Sequence, residues 1–364
     1  MKIKEITNYL ETIAPLSYQE SYDNAGLIVG DKEQEVTGVL VCLDSTEEIV
    51  EEAIEKGCNL IVAHHPIVFG GLKTFTGKNY VERTVLKAIK NDIAIYAIHT
   101  NLDNVIEGVN GKIASILGLK NTKVLSPKRN MLKKLVTFVP FEAKEKVLDA
   151  LFNAGAGNIG NYSECSYLTE GNGTYKANAE ANPYKGKTNI RHTEPEVKIE
   201  VIYTTEKESK IVESLKIAHP YEEVAYDLLT LTNVSDKIGA GIVGELEEPI
   251  DTMLFLTELK TKLKTNCIRH TKPIKHKIKR VALCGGAGSF LLNDAKRAGA
   301  DIFITGDFKY HEFFDAENQI VIADVGHFES EQFTIQLLVS FLKEKFSTFA
   351  VRLTEKETNP IHYL

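Results

Sequence analysis

Nowhere in its 364 residues does the chain carry an apolar run approaching the roughly twenty residues that a membrane helix needs, so no membrane span is expected. Met1 to Glu5 has no apolar signal segment behind it and reads as the start of a helix in a cytoplasmic protein. Cysteine is scarce. Cys42, Cys58, Cys165, Cys267 and Cys284 are widely spaced and odd in number, and no two form a CxxC pair. A complete disulfide framework is therefore excluded, a zinc knuckle is disfavoured, and buried reduced thiols are expected. An excess of positive charge is also missing. The formal net charge is -7 with 26% charged residues, whereas a general nucleic-acid binder would present a basic surface. The one local basic stretch, from Lys262 through Arg269, Lys272 and Lys275 to Arg280, contains no Trp, Phe or Tyr on which bases could stack. It reads as a solvated loop or strand.

What is present fits a globular protein of two or three domains, with 43% hydrophobic residues. Residues 1–125 alternate between helical and strand patterns. Helices are expected at Ile3 to Ile13, after the cap Thr46, at Asn79 to Lys90 and at Val109 to Leu117; strands are expected at Val36 to Leu43, Leu60 to Ala63 and Ile93 to Ile98. That rhythm implies a mostly parallel sheet covered by helices. It returns near the C-terminus, with strands at Val281 to Cys284, Asp301 to Thr305 and Ile320 to Ala323, a helix from Ser289 to Ala298, and a long helix from Glu331 onward. The stretch Gly57 to His65 parallels Gly299 to Asp307, which suggests two related α/β halves. Between them, roughly residues 128–236 have a different texture, with order βα-β-βαβ, and read as a compact α+β insert. Gly171, Gly173 and Gly186 look like its turn positions.

The chemistry-bearing residues sit where apolar runs end. Leu60 to Ala63 runs into His64, His65 and Pro66. Ile98 runs into His99, Thr100, Asn101, Leu102 and Asp103. Ile320 to Ala323 leads to His327 and Glu331. A divalent metal such as zinc or iron accepts imidazole nitrogen and carboxylate oxygen. On a straight strand two adjacent histidines would face opposite ways, but at a strand end the chain can turn both toward neighbouring metals. His327 and Glu331 are four apart and share one helix face, where the carboxylate can bridge two metals. Asp103 is a candidate bridging carboxylate or a helix cap. His99 can serve as ligand, as a donor behind a ligand, or as a substrate contact. The glycine-rich turn Cys284 to Ser289 offers amides that could receive an anion, although it matches no nucleotide fingerprint. Thr305 to Glu312 presents Asp307, Lys309 and His311 at another strand end.

Together, Tyr22 to Leu27, Ala63 to Pro66, His99 to Asp103, Thr305 to Asp307 with His311, and Gly326 to Glu331 resemble the GTP cyclohydrolase I type 2 homologue family, also called the NIF-three-like family. Tyr22 stands where that family typically has Trp. The resemblance implies an α/β fold: a core of two related α/β halves, here residues 1–127 and 237–364, and an inserted α+β ferredoxin-like domain similar to the PII and CutA proteins at 128–236. It implies metal ligands at His64, His65, Asp103, His327 and Glu331 holding two divalent ions per chain, commonly zinc, with iron or manganese as alternatives. It also implies a ring-like homohexamer. The function expected is metal-dependent hydrolysis of a small, nucleotide-like substrate, with His99 or His311 moving a proton and Lys309 attracting a phosphate. A non-enzymatic metal-binding regulatory or chaperone-like assembly is the alternative. A DNA-associated ring would need a basic signature that the sequence lacks.

Overall fold

The computed structural model describes residues 1–364 and divides into two compact units. Met1–Pro127 and Asp236–Leu364 form one, and Lys128–Ser235 form the other. No helix is long and apolar enough to cross a membrane.

The first unit holds two sheets. In one, Val39–Cys42, Leu60–Ala63 and Ala94–Ala97 lie side by side in parallel, and Gly26–Val29 pairs antiparallel with Ala94–Ala97. In the other, Lys277–Ala287, Ile302–Gly306 and Val321–Asp324 are parallel neighbours, and Arg269–His270 pairs antiparallel with Val321–Asp324. The same placement of four successive strands thus occurs twice. Each sheet then gains strands that the apolar pattern did not reveal. Val351–Leu353 returns from the far end of the chain to pair with Val39–Cys42. Gly239–Asp251 and Lys120–Pro127 extend the second sheet as antiparallel strands.

The central parallel strands are buried on both faces, which is why they read as unbroken apolar runs. Val39, Val41, Leu60 and Val62 share one core with Val281, Leu283, Ile302 and Ile304 of the second sheet. Helices Ile3–Ile13, Val109–Leu117, Thr252–Lys262 and Thr334–Lys345 contribute to the same core. The alternate residues Leu40, Cys42 and Ile61 face outward onto helices Glu47–Glu55 and Tyr80–Lys90. Thr46 caps the first as its sequence predicts, its side chain accepting from Ile49 N, while Asn79, expected as the first helical residue, is instead the cap of the second and accepts from Glu82 N.

Two anchors shape the walls around the strand ends. Buried Glu82 accepts from the backbone N–H groups of Thr76 (2.9 Å) and Lys78 (3.2 Å), pinning the segment that precedes its helix. Buried Glu52 accepts from Glu355 N at 2.8 Å and from the Thr354 hydroxyl, which fixes the start of the C-terminal tail.

The expected long helix from Glu331 onward is two helices. His327–Glu331 ends where the Gln332 side chain donates to Leu263 O (3.0 Å), and Thr334–Lys345 follows. The basic stretch is solvated strand and loop, with Lys275 paired to Asp301 and Arg269 to Asp324.

The second unit is an antiparallel sheet ordered Ser166–Lys176, Arg191–Thr204, Leu132–Pro140, Tyr226–Thr230, with helices Lys144–Asn153 and Glu208–Ala218 supplying its core. Gly186 lies at φ +81, as a turn glycine would. Gly171 and Gly173 instead lie inside the strand Ser166–Lys176, opposite Glu196 and Glu194. A Cβ on Gly173 would come within 2.0 Å of a Glu196 carboxylate oxygen, so this glycine leaves room for the Glu196 side chain rather than making a turn.

Candidate metal centre

In open α/β sheets the carboxyl ends of parallel strands are where loops leave room for a ligand, and both sheets direct functional side chains to such ends. His64 and His65 follow Leu60–Ala63, His99 follows Ala94–Ala97, Asp44 follows Val39–Cys42, Asp307 follows Ile302–Gly306, and His327 opens the short helix after Val321–Asp324. They meet around a cavity of about 760 Å³ lined by His65, His99, Asp103, His327 and Glu331, among others.

Glu331, fully buried in the wall, is the hub. Its Oε2 lies 2.9 Å from His65 Nε2 and 3.1 Å from His327 Nε2, while Oε1 lies 3.7 Å from His64 Nε2. The two oxygens thus face different histidines. His65 and His327 approach each other to 3.4 Å between Nε2 atoms. The turn after Ala63 brings both adjacent histidines inward, with ring centroids 4.9 Å apart. His64, His65 and His99, then His65, His327 and Glu331, then His64, Asp103 and Glu331, each place one donor atom apiece within 4.8 Å of one another, and each group could hold a metal ion.

The fit to a cation is clearest at His64. Its Nδ1 lies 2.8 Å from Ile98 O, so Nδ1 carries the proton and Nε2 presents a bare lone pair. That atom is buried without a hydrogen-bond partner, as is Asp103 Oδ1 at 3.8 Å. A lone pair facing carboxylate oxygens at such distances is repulsive unless a positive charge lies between them.

The other imidazoles are held from behind by carboxylates. His65 Nδ1 donates to Asp44 Oδ1 at 2.7 Å, His327 Nδ1 to Asp307 Oδ2 at 2.7 Å, and His99 Nδ1 to Asp23 Oδ1 at 2.8 Å. Such partners fix the ring and leave Nε2 as the atom that would ligate once its proton is lost. Burial opposes charge on His65, but the bonds to Asp44 and Glu331 outweigh it and push its pKa up to about 10. His327 is likewise pushed up to about 11 by Asp307 and Glu331 against the cost of burial. Burial pushes His64 down. Burial, and then the nearby charge of Glu331, hold the Asp103 carboxyl well above the usual range. Burial also works against the charge of Glu331, yet its histidine partners, His327 foremost, keep it ionised. Asp23 falls to about 2 because His99 and Thr100 outweigh its burial.

The five residues expected as ligands are therefore brought together, with His99 beside them. Lys309 and His311 are not. Both are exposed, Lys309 just before the turn Tyr310–Ala316 and His311 within it; neither lines the cavity, and His311 packs against the rings of Tyr310 and Phe314. The glycine turn has a different task from anion binding. Gly285 N donates to Asn110 Oδ1 and Gly286 N to Ser330 Oγ, both at 2.9 Å, so these two amides are already engaged. A Cβ on Gly286, which has φ +63, would come within 2.3 Å of Glu331 Oε1. Gly286→Ala is expected to destabilise the fold by about 1–2 kcal/mol from the left-handed backbone alone and to displace Glu331. A lowered Tm together with reduced metal content would show both effects.

Asp44 escaped sequence reading because a lone Asp after a strand is an ordinary turn residue. Its second oxygen accepts from the Thr358 hydroxyl at 2.7 Å, and Thr358 to Ile361 form one wall of the cavity. The tail therefore supports His65 through Asp44.

Comparison with known proteins agrees with this arrangement. The family model described as Duf34/NIF3 (NGG1p interacting factor 3) matches residues 1–360. A protein of Bacillus subtilis (strain 168) named GTP cyclohydrolase 1 type 2 homolog is 36% identical over 366 residues, covering 99% of this chain and 98% of the relative. A Staphylococcus aureus (strain MSSA476) protein of the same name is 35% identical over 369 residues, covering 100% of both. Among solved structures, a Bacillus cereus protein related to NIF3 superposes with a TM-score of 0.86 at 36% identity, covering 100% of this chain and 99% of that one.

Proposed function

Because the chain belongs to the Duf34/NIF3 family, we propose that it is a dinuclear, metal-dependent hydrolase of a small nucleotide-like substrate. The observation that carries this is the pair of buried, unpartnered atoms, His64 Nε2 and Asp103 Oδ1, facing each other beside Glu331. His64, Asp103 and Glu331 would hold one ion and His65, His327 and Glu331 the other, which supports Glu331 as the shared carboxylate. The imidazole and carboxylate donors suit zinc, with iron and manganese as alternatives. Such ions, when bound, acidify water and polarise an oxygen of the substrate.

The chain's own groups do the rest. Asp44 and Asp307 orient His65 and His327 through their Nδ1 protons. His99, fixed by Asp23 on the cavity wall, is positioned to carry a proton. The Lys128–Ser235 unit, with its βα-β-βαβ order and antiparallel sheet, supports reading it as a ferredoxin-like insert of the PII/CutA kind. A cytoplasmic homohexamer completes the proposal.

The name of the relatives points to GTP as substrate. Elemental analysis of anaerobically purified protein, paired with formate release from GTP before and after chelation, tests both layers. About two ions per chain with chelator-sensitive turnover of any small substrate supports the hydrolase. Ions without formate remove GTP alone. Absence of bound metal overturns the proposal.

A further inference from the structure

Each proposed histidine ligand is steadied through its ring Nδ1, by Ile98 O, Asp44 or Asp307, and the Glu331 carboxylate is held by the histidines it faces. Asp103 has no such support. Its Oδ1 is buried without a hydrogen-bond partner, so the place of its carboxylate is set by the backbone that carries it. That backbone is the short helix Thr100–Asp103, and one side chain grips its last carbonyl. Asn110 Nδ2 donates to Asp103 O at 3.0 Å. The other side of the same amide reaches the second sheet, where Asn110 Oδ1 accepts from Gly285 N at 2.9 Å.

Asn110 is buried, and its orientation is forced by chemistry. Asp103 O can only accept and Gly285 N can only donate, so the position needs one donor and one acceptor on a short stem, which asparagine supplies and aspartate of the same shape does not. The backbone around it has no slack. A Cβ on Gly108, just before the helix Val109–Leu117 that carries Asn110, would lie 1.9 Å from Leu102 O. A Cβ on Gly285 would meet Val109 Cγ1 at 2.9 Å and Glu331 Cγ at 3.4 Å. Gly285 is therefore seated between the Asn110 helix and the stem of Glu331. One amide thus ties the carbonyl of Asp103 to the turn against which Glu331 rests, although the two carboxylates lie far apart in the chain.

We infer that Asn110 is a positioning residue: by joining Asp103 to the Gly285 turn it sets the spacing between the Asp103 and Glu331 carboxylates, and so completes the ion site of His64, Asp103 and Glu331. The inference rests on the two-ion reading of the cavity and adds what keeps its carboxylates in register. The neighbouring group of His65, His327 and Glu331 does not contain Asp103, and its histidines are braced separately by Asp44 and Asp307. Loss of Asn110 therefore acts on one ion and spares the other.

The test is titration of the intact, metal-free protein with Mn²⁺, followed by electron paramagnetic resonance, which counts free and bound ions and shows whether two bound ions are magnetically coupled through a shared carboxylate. Wild type is expected to take about two ions per chain and to show the coupled signal. Asn110→Asp keeps an acceptor for Gly285 N and loses the donor to Asp103 O, and Asn110→Ala loses both. In each, one ion is expected to weaken by at least about tenfold while the other stays close to its wild-type affinity, and the coupled signal to give way to that of an isolated ion. The added negative charge in Asn110→Asp would by itself tighten cation binding, so a weaker ion there marks lost position rather than lost charge. Asn59→Ala is the control for destabilisation alone. Asn59 likewise joins two backbone groups, Thr37 N and Glu35 O, but at the opposite end of the strand that leads to His64. Its loss is expected to lower Tm and to leave both ions and their coupling intact. Two coupled ions in Asn110→Asp, or equal weakening of both ions in it, would overturn the inference. Fewer than two ions in the wild-type protein would instead overturn the two-ion reading beneath it.

Discussion

Glu331→Gln is expected to abolish metal retention and to return two histidines toward the ordinary range. In the metal-free protein the Glu331 carboxylate accepts from both His65 Nε2 and His327 Nε2, and those contacts, with Asp44 and Asp307 behind, lift the two pKa values to about 10 and about 11. Gln keeps the volume but removes the charge, and it offers one acceptor where the carboxylate offered two. The loss in metal affinity should exceed about 100-fold, because replacing a partner behind a metal ligand already costs roughly 10–100-fold. Asp44→Asn, which leaves every proposed ligand in place, should fall within that smaller range. Metal content after dialysis against a weak chelator, with NMR titration of the metal-free histidines, measures both effects. Full metal retention in Glu331→Gln would refute the assignment of Glu331 as the shared carboxylate.

A second large effect concerns pH. Because His65 and His327 are raised to about 10 and about 11, both rings are imidazolium at neutral pH in the metal-free protein. Ligation requires the neutral ring, so binding must expel a proton from each. Two displaced protons make apparent metal affinity fall about 100-fold per pH unit, or about 10⁴-fold between about pH 8 and about pH 6. Chelator competition across that window measures the slope, and calorimetry in buffers of different ionisation enthalpy counts the protons. A slope near zero would mean that these histidines are already neutral. The sign for stability follows from the same shifts. A histidine whose folded pKa is raised contributes fully below its unfolded value, about 6.5, and loses that contribution as pH rises through the folded value. Metal-free protein should therefore lose stability progressively as pH climbs from about 6.5, with the loss complete once pH has passed about 10 for His65 and about 11 for His327, as followed by Tm.

The cavity wall adds a dependence on the end of the chain. Glu52 fixes Glu355, Thr358 holds Asp44, and Asp44 holds His65. Residues more than 250 positions apart in sequence thus orient one imidazole, as the His65 to Glu331 separation of 266 already shows. The connection is purely tertiary, and no periodicity or spacing could have announced it.

Several features were legible in the sequence because their causes are local. Leu60–Ala63 and Val109–Leu117 read correctly to the residue, since burial on both faces leaves a continuous apolar run and an amphipathic helix leaves its own period. Thr46 could be read as a cap because its side chain bonds an amide only three residues away. His64, His65, Asp103, His327 and Glu331 stood out as histidines and carboxylates that follow apolar strands, a position where an ordinary loop has no need of them. Lys120–Pro127 and Gly239–Asp251 were missed because long stretches of each are solvent-facing, and exposure erases the apolar signal.

The sequence by itself thus determined the alternation of strands and helices, the caps, and which side chains stand at the strand ends, because each follows from burial or bonding within a few residues. Tertiary structure decided the rest. It returned Val351–Leu353 to the first sheet and sent Lys120–Pro127 to the second. It engaged the glycine turn in close packing against Glu331 and left Lys309 and His311 in solvent. Backbone pairing between distant strands and close approach across sheets depend on partners remote in the chain, so they become visible only once the chain has folded.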